Sequence, residues 1–187
     1  MSKSSAGGDA KAEKAASLIE ALPFSLLDEP LEYIFADHYR QRSVCAALKR
    51  FAEARKVGRV EADNVVAFLT GDLITHHQDE DNDLFPAIRR RAHPEDNLGP
   101  ILARLSEDHK RSDPMIDEIV ATLSKDISSD PIALTSAQAE MMLAYAAHEH
   151  RHLVIENGIV LVIARKRLTA ADIGKIRNSM KARRGVF

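Results

Sequence analysis

Residues 69–84 read LTGDLITHHQDEDNDL. Leu69, Leu73, His76, Glu80 and Leu84 follow one another at steps of three or four, so on a helix they share one face. That face is apolar at both ends and ionisable in its middle. Three other segments repeat the arrangement. Leu31, Ile34, His38, Cys45 and Leu48 form one stripe, and Leu102, Leu105, His109, Ile116, Ile119 and Leu123 form another. The last reads Met141, Tyr145, His148, His152, Glu156, Ile159 and Ile163. A lone His on an apolar face is ordinarily a hydrogen-bonded core residue. Here the chain has eight His, and only His93 stands clearly outside these clusters. Glu80 and Glu156 strengthen the signal, because a buried carboxylate without a cation is seldom tolerated.

Punctuation residues mark the helices outward from these stripes. Residues 1–14 read as a disordered lead-in, and Ala15–Leu22 as a short helix stopped by Pro23. Pro30 suits the first turn of a helix reaching about Lys56, which Gly58 ends. A second helix runs from the Arg59–Ala62 region to about Ala92, and Leu84-Phe85-Pro86 within it reads as core packing with a kink. The stretch 93–97 is a break, with Asn97 as a candidate N-cap. A third helix spans Leu98 to about Lys125, and Pro114 is expected to kink or split it. After the 128–131 loop, Thr135 or Ser136 caps a fourth helix reaching Arg167, and Thr169–Asp172 opens a short C-terminal helix. Four helices of about 26 to 33 residues joined by short loops pack as antiparallel neighbours. The expected fold is all-α, an up-down-up-down four-helix bundle, with residues 15–187 as one domain.

Heights along the helices test whether the four clusters meet. His38 lies about 18 residues before the first turn and His76 about 17 after it. His76 and Glu80 lie about 12 to 16 residues before the second turn and His109 about 12 after it, and His109 and His152 straddle the third loop at about 16 and 17. At a rise of about 1.5 Å per residue these agree to within a turn or two, so antiparallel packing brings all four clusters to one level.

Composition sets the outer limits. Lys+Arg is 26 and Asp+Glu 28, which leaves no global field to draw nucleic acid or an anionic membrane. One cysteine, Cys45, excludes a disulfide framework or Cys-rich zinc module and suits a reducing cytoplasm. Cys45 itself reads as a small buried apolar residue. No uninterrupted apolar window is long enough to span a bilayer. The basic final turns (Lys181, Arg183, Arg184) fit a helix C-terminus better than a nucleic-acid patch.

The pairs His76-x-x-x-Glu80 and His152-x-x-x-Glu156 each place an imidazole and a carboxylate one turn apart. With His38 and His109 they offer four nitrogens and two potentially bridging carboxylates, which suits iron, manganese or zinc and exceeds one tetrahedral zinc. His148, one turn from His152, is either a further ligand or a group behind the ligands. Asp37 is a candidate for orienting an imidazole, and Tyr145 either packs in the core or hydrogen-bonds near the site. His77 and His150 point about a quarter-turn off their neighbours, toward the surface or behind the ligands.

Asp37-His38, His76-His77-x-x-Glu80 running into Leu84-Phe85-Pro86, Asp108-His109, and His152-x-x-x-Glu156-Asn157 resemble the hemerythrin HHE cation-binding family over about residues 30–165. The resemblance implies a four-helix bundle with a non-haem di-iron centre, bridged by two carboxylates and an oxo or hydroxo group. It would make His38, His76, Glu80, His109, His152 and Glu156 the ligands, with Mn or Zn as alternative metals. It implies chemistry with O2, NO or peroxide, or iron handling; carrier, sensor, peroxidase and iron donor all share such ligands. Asp81 stands where many relatives carry a second Glu. Asp113 stands four after His109, where an oxygen-carrying member would offer a further His, so oxygen transport would need His148 to supply that nitrogen.

Three competing readings remain. His148-Glu149-His150-Arg151-His152 matches the zinc-peptidase signature H-E-x-x-H, with Glu149 as general base. It would leave His38, His76, Glu80 and His109 unexplained, and no strand is evident to align a substrate. A ferritin-like carboxylate centre needs two Glu-x-x-His motifs, and only Glu149-x-x-His152 fits. A metal-free structural bundle would have to satisfy two buried Glu some other way.

Overall fold

The computed structural model describes residues 19–125 and 129–186, so the expected lead-in and residues 15–18 of the expected first short helix lie outside the described residues. Ile19–Leu22 are not helical. Pro23 is extended (φ −65°, ψ 135°), and the residue before a proline is pushed the same way. A short 3-10 turn, Phe24–Asp28, follows and buries Leu27.

Helix α1 (Pro30–Ala54) starts on Pro30, whose missing N–H costs nothing in a first turn. It stops a little earlier than expected, because Arg55 adopts a left-handed conformation (φ 55°). Strand β1 (Lys56–Val57) then pairs antiparallel with β2 (Ile132–Ala133), a ribbon too short to show as alternation in sequence. Its inward residues Val57 and Ile132 are buried. Gly58, expected to end the first helix, instead precedes the second in an extended conformation.

The second helical run, 59–91, has five segments: α2 (Arg59–Ala67), a π turn (Phe68–Asp72), α3 (Leu73–Asp79), a π turn (Glu80–Leu84) and α4 (Phe85–Arg91). Helix α5 (Leu98–Ser124) follows a short 3-10 turn. Asn97 stands before it in the left-handed region (φ 44°), which Asn tolerates better than most residues, and makes no side-chain cap bond. Helix α5 passes Pro114 without a break. Pro114 is exposed, so water can reach the carbonyl it leaves without an N–H partner.

Thr135 caps α6 (Ser136–Ile155): its side chain accepts from Gln138 N, and Gln138 Oε1 accepts from Thr135 N at 2.9 Å. A π turn (Glu156–Val160) and α7 (Leu161–Arg167) complete that run. Helix α8 (Ala170–Arg183) begins with the same reciprocal cap between Thr169 and Asp172.

Helix α1 packs along α6, α5 packs against α6 and α2, and α8 lies over α1, α3 and the Glu80–Leu84 turn. The core is two apolar clusters. One contains Val44, Leu48, Leu73, Ile116, Ile119, Met142 and Ala146; the other contains Leu31, Ile34, Leu84, Leu102, Leu105, Val160 and Leu161. Each of the four helical runs crosses from one cluster to the other at its His or Glu positions. The polar layer therefore lies between two apolar plugs.

The π turn after Glu156 shifts the register. A wider turn adds one residue before the face returns, so Val160 is buried and Ile159, expected as a core wall, is 37% exposed. Among the described residues no helix is long and apolar enough to cross a membrane.

Candidate metal centre

Helical spacing puts His76 above Glu80 and His152 above Glu156, while α1 and α5 bring in His38 and His109. All six side chains are buried. Their donor atoms form two groups, each within 4.8 Å: His38, His76, Glu80 and Glu156 in one, and Glu80, His109, His152 and Glu156 in the other. The two carboxylates belong to both groups.

Nε2 of every imidazole faces inward. His38 Nε2 is 3.5 Å from Glu80 Oε1 and 3.4 Å from Glu156 Oε2; His76 Nε2 is 3.3 Å and His109 Nε2 3.4 Å from Glu80 Oε2. His152 Nε2 is 3.0 Å from Glu156 Oε1 and 3.1 Å from His109 Nε2. These are the spacings expected of neighbouring ligands: donors about 2.1 Å from one ion at right angles stand about 3 Å apart.

Oxygens stand behind all four rings, and the outer nitrogens of His38 and His109 are hydrogen-bonded to theirs, whereas those of His76 and His152 face a carboxylate without a hydrogen bond. His38 Nδ1 lies 2.9 Å from Asn157 Oδ1, His76 Nδ1 3.1 Å from Asp37 Oδ2, His109 Nδ1 2.9 Å from Asp81 Oδ2, and His152 Nδ1 3.9 Å from Asp108 Oδ2. Asp37 is held in turn by Arg40, and Asp81 by Ser106 Oγ. An acceptor at Nδ1 leaves the Nε2 lone pair directed inward, the arrangement used to orient metal-binding imidazoles.

The inward atoms show how well these residues fit a metal. His38 Nε2, His76 Nε2, Glu80 Oε2 and both Glu156 carboxylate oxygens are buried without a hydrogen-bond partner. Buried polar atoms are rarely left so, and these are all nitrogen or oxygen donors converging on shared points. The set fits iron, manganese or zinc.

Protons occupy the same field in the metal-free protein. Burial opposes charge on His109, but hydrogen bonds to Asp81 and Glu80 and the Glu156 charge hold its pKa up at about 10. His76 is likewise raised well above its ordinary range against burial, by Glu80 and Asp37. His152 is raised against burial by Glu156. Burial pushes Glu80 up, and the surrounding imidazoles pull it well below the carboxylate range.

The remaining expected residues are placed differently. His148 is half-buried, and its Nε2 lies 3.1 Å from the Asp108 carbonyl oxygen, outside both donor groups. Glu149 takes the buried place expected of His148, so the H-E-x-x-H geometry does not assemble. Glu149 is 3% exposed with Oε1 unpartnered, and burial raises its pKa. Tyr145 is buried away from the donors, its pKa raised by burial and then by Glu149 and Cys45. Burial likewise raises the Cys45 thiol, which keeps it protonated and inert. His77 is half-buried and stacks on His109, His150 is exposed, and Asp113 is exposed on a cleft beside His109.

Sequence reasoning gave no part in the centre to the side chains of Asn157, Asp108 or Ser106, and considered Glu149 only in the peptidase and ferritin-like readings. Asp108 and Asn157 each adjoin a donor residue, the one signal that could have flagged them. The buried Asp79, beside Glu80, is gripped by Arg183 and Arg184 at the end of α8, a contact across about a hundred residues that no local pattern reveals.

No curated protein and no solved structure matches the chain. A family model does match, over residues 29–164, the span that carries all six converging donors. The chain belongs to the family of the hemerythrin HHE cation binding domain.

Proposed function

We propose that this protein is a hemerythrin-like di-iron protein that binds or reduces a small ligand such as O2, NO or peroxide. The observation that carries the reading is the pair of four-donor groups sharing Glu80 and Glu156. His38 and His76 would serve one iron, His109 and His152 the other, and the two carboxylates both. Bound iron would supply an open coordination position and one-electron redox chemistry. The protein's own part is to orient the rings, His38 through Asn157, His109 through Asp81 and His76 beside Asp37. It also excludes water through the buried walls Ile34, Leu73 and Leu105.

The reading includes an up-down-up-down bundle within a single domain of residues 15–187. Successive helical runs cross the two apolar clusters in alternating order, which supports that topology. A cytoplasmic setting accords with a single buried cysteine. His148 lies outside the donors, which weighs against a dedicated oxygen carrier and toward redox or iron-handling chemistry.

Metal analysis with a visible spectrum on aerobically purified protein tests the proposal. About two irons per chain with ligand-to-iron absorption are expected. A single zinc with no iron would overturn the di-iron reading, and stable folding with no metal uptake would leave a structural bundle.

A further inference from the structure

A half-open cleft of about 250 Å³ lies between α3 and α5, lined by residues that include Ile74, His77, Asp81, His109 and Lys110. It brings solvent close to the metal centre. His109 forms part of its wall and, at 5% exposed, is the most exposed of the six donor residues; the other five are at 3% or less.

His77 covers His109. The two rings are stacked, 4.0 Å apart and inclined by 14°. Each donor imidazole has an outer nitrogen facing an oxygen, but no hydrogen bond or ion pair holds His77 among the described residues. Its restraints are therefore ring contacts, the stack on His109 and an edge contact with His76 at 6.2 Å. Such a ring can swing into the cleft without breaking a polar contact, and doing so uncovers the His109 face.

We propose that this cleft admits small ligands to the metal pair and that the His77 ring is its gate. The proposal rests on the di-iron reading and adds the route. Its ligands are those of the di-iron reading, O2, NO or peroxide, and small anions such as azide serve as their probe. Lys110 at the cleft offers them a cation, opposed by Asp113, while Asp81 is engaged with His109 and Ser106.

An aromatic stack of this kind slows opening by about two- to tenfold. The test uses the full-length, iron-loaded chain with azide as probe, followed by stopped-flow absorbance, after iron content is measured for every variant. His77→Ala should raise azide association and dissociation rates together by that factor, leaving the equilibrium constant unchanged. It should also speed iron loss to a chelator. His77→Phe keeps a ring and should behave like the parent, whereas Ile74→Trp, which fills the cleft, should slow both rates. Loaded variants with parental rates would overturn the gate while leaving the di-iron reading intact, as would loaded protein that binds no azide. A parent chain that holds no metal pair would overturn both.

Discussion

Removing the two arginines that hold Asp79 should destabilise the fold by an amount set by burial. The Asp79 side chain is fully buried, and Arg183 and Arg184 keep only 20% and 10% of theirs exposed. Arg184 Nη2 donates to Asp79 Oδ2 at 2.6 Å, Arg183 donates to Oδ1, and the Arg184 guanidinium lies 4.7 Å from the centre of the Tyr33 ring. Solvent screening is weak there, so this is not a surface salt bridge of marginal value. Stripping the partners from a buried charge costs about 3–5 kcal/mol. Arg184→Ala alone leaves Arg183 in place and should cost about 2 kcal/mol, mostly from the lost pair and partly from the Tyr33 contact. The double variant Arg183→Ala/Arg184→Ala should cost the full amount. In a chain of 187 residues each kcal/mol moves Tm by about 2–4 °C, so the double variant should melt roughly 10 °C lower. Urea and thermal unfolding of chelator-treated protein measure this without a contribution from bound metal. Adding Asp79→Asn to the double variant should recover at least half of the loss, because the fully buried charge is then gone; the remainder includes Asp83, 16% exposed, which loses its 2.7 Å contact with Arg183. A double variant within about 0.5 kcal/mol of the parent, or an Asn that recovers nothing, would refute the reasoning.

Glu80→Gln and Glu156→Gln should each lower iron content while circular dichroism keeps the parental helix signal, since each removes a donor charge shared by both groups; two irons retained in both variants would exclude them as bridges. Asp81→Asn should weaken iron binding about 10- to 100-fold, measured by competition with a chelator, because the acceptor fixing His109 Nδ1 is lost. Asp96, held at about pKa 2 by the Arg167 guanidinium and the His93 backbone N–H, stabilises the fold fully above its ordinary 3.8 and loses that contribution as pH falls toward 2. The part of the parent's fall in Tm between about pH 4 and pH 2 that Asp96 causes should disappear in Asp96→Asn, and identical acid profiles would refute it.

The helices and the donor set were legible because both rest on residue periodicity. Leu69, Leu73, His76, Glu80 and Leu84 are all buried, as are every expected stripe residue of α5 and α1. What escaped depended on choices periodicity does not encode. A π turn is one backbone hydrogen-bonding step wider than an α turn, so Ile159 and Val160 exchange places with no local sequence warning. His148 and Glu149 both lie within about a turn of Tyr145 and His152, and a spacing rule accepts either; hydrophobicity gives no reason to bury the carboxylate. The β1–β2 ribbon is two residues per strand and is defined by its partner across about 75 residues. The contacts behind the rings are tertiary, and Asp37, a candidate for orienting an imidazole, stands 3.1 Å from His76 Nδ1 rather than behind its neighbour His38.

Charge within the buried layer bears on how many ions the centre takes. Glu80, Glu156, Asp37, Asp81 and Asp108 face the imidazoles as five carboxylates. Arg40 on Asp37 is the buried guanidinium among them; Arg104, 3.7 Å from Asp108, is 66% exposed and its charge is largely screened by water. Three positive charges are then wanting within the layer, and about four with Asp81, whose side chain is 33% exposed on the cleft and partly screened. Protons on His76, His109 and His152 make up most of that deficit in the metal-free protein, which is why all three are held above their ordinary range. A single divalent ion would leave part of the excess unmet and protons on imidazoles needed as ligands. Two divalent ions, as proposed above, would cover the excess and would free every Nε2 to bind. Glu149, buried beside this layer with an oxygen unpartnered, is pushed toward its neutral form chiefly by burial. The carboxylates behind His76 and His109 thus act twice, facing the outer nitrogens of those rings and adding to a charge that a pair of divalent cations would meet.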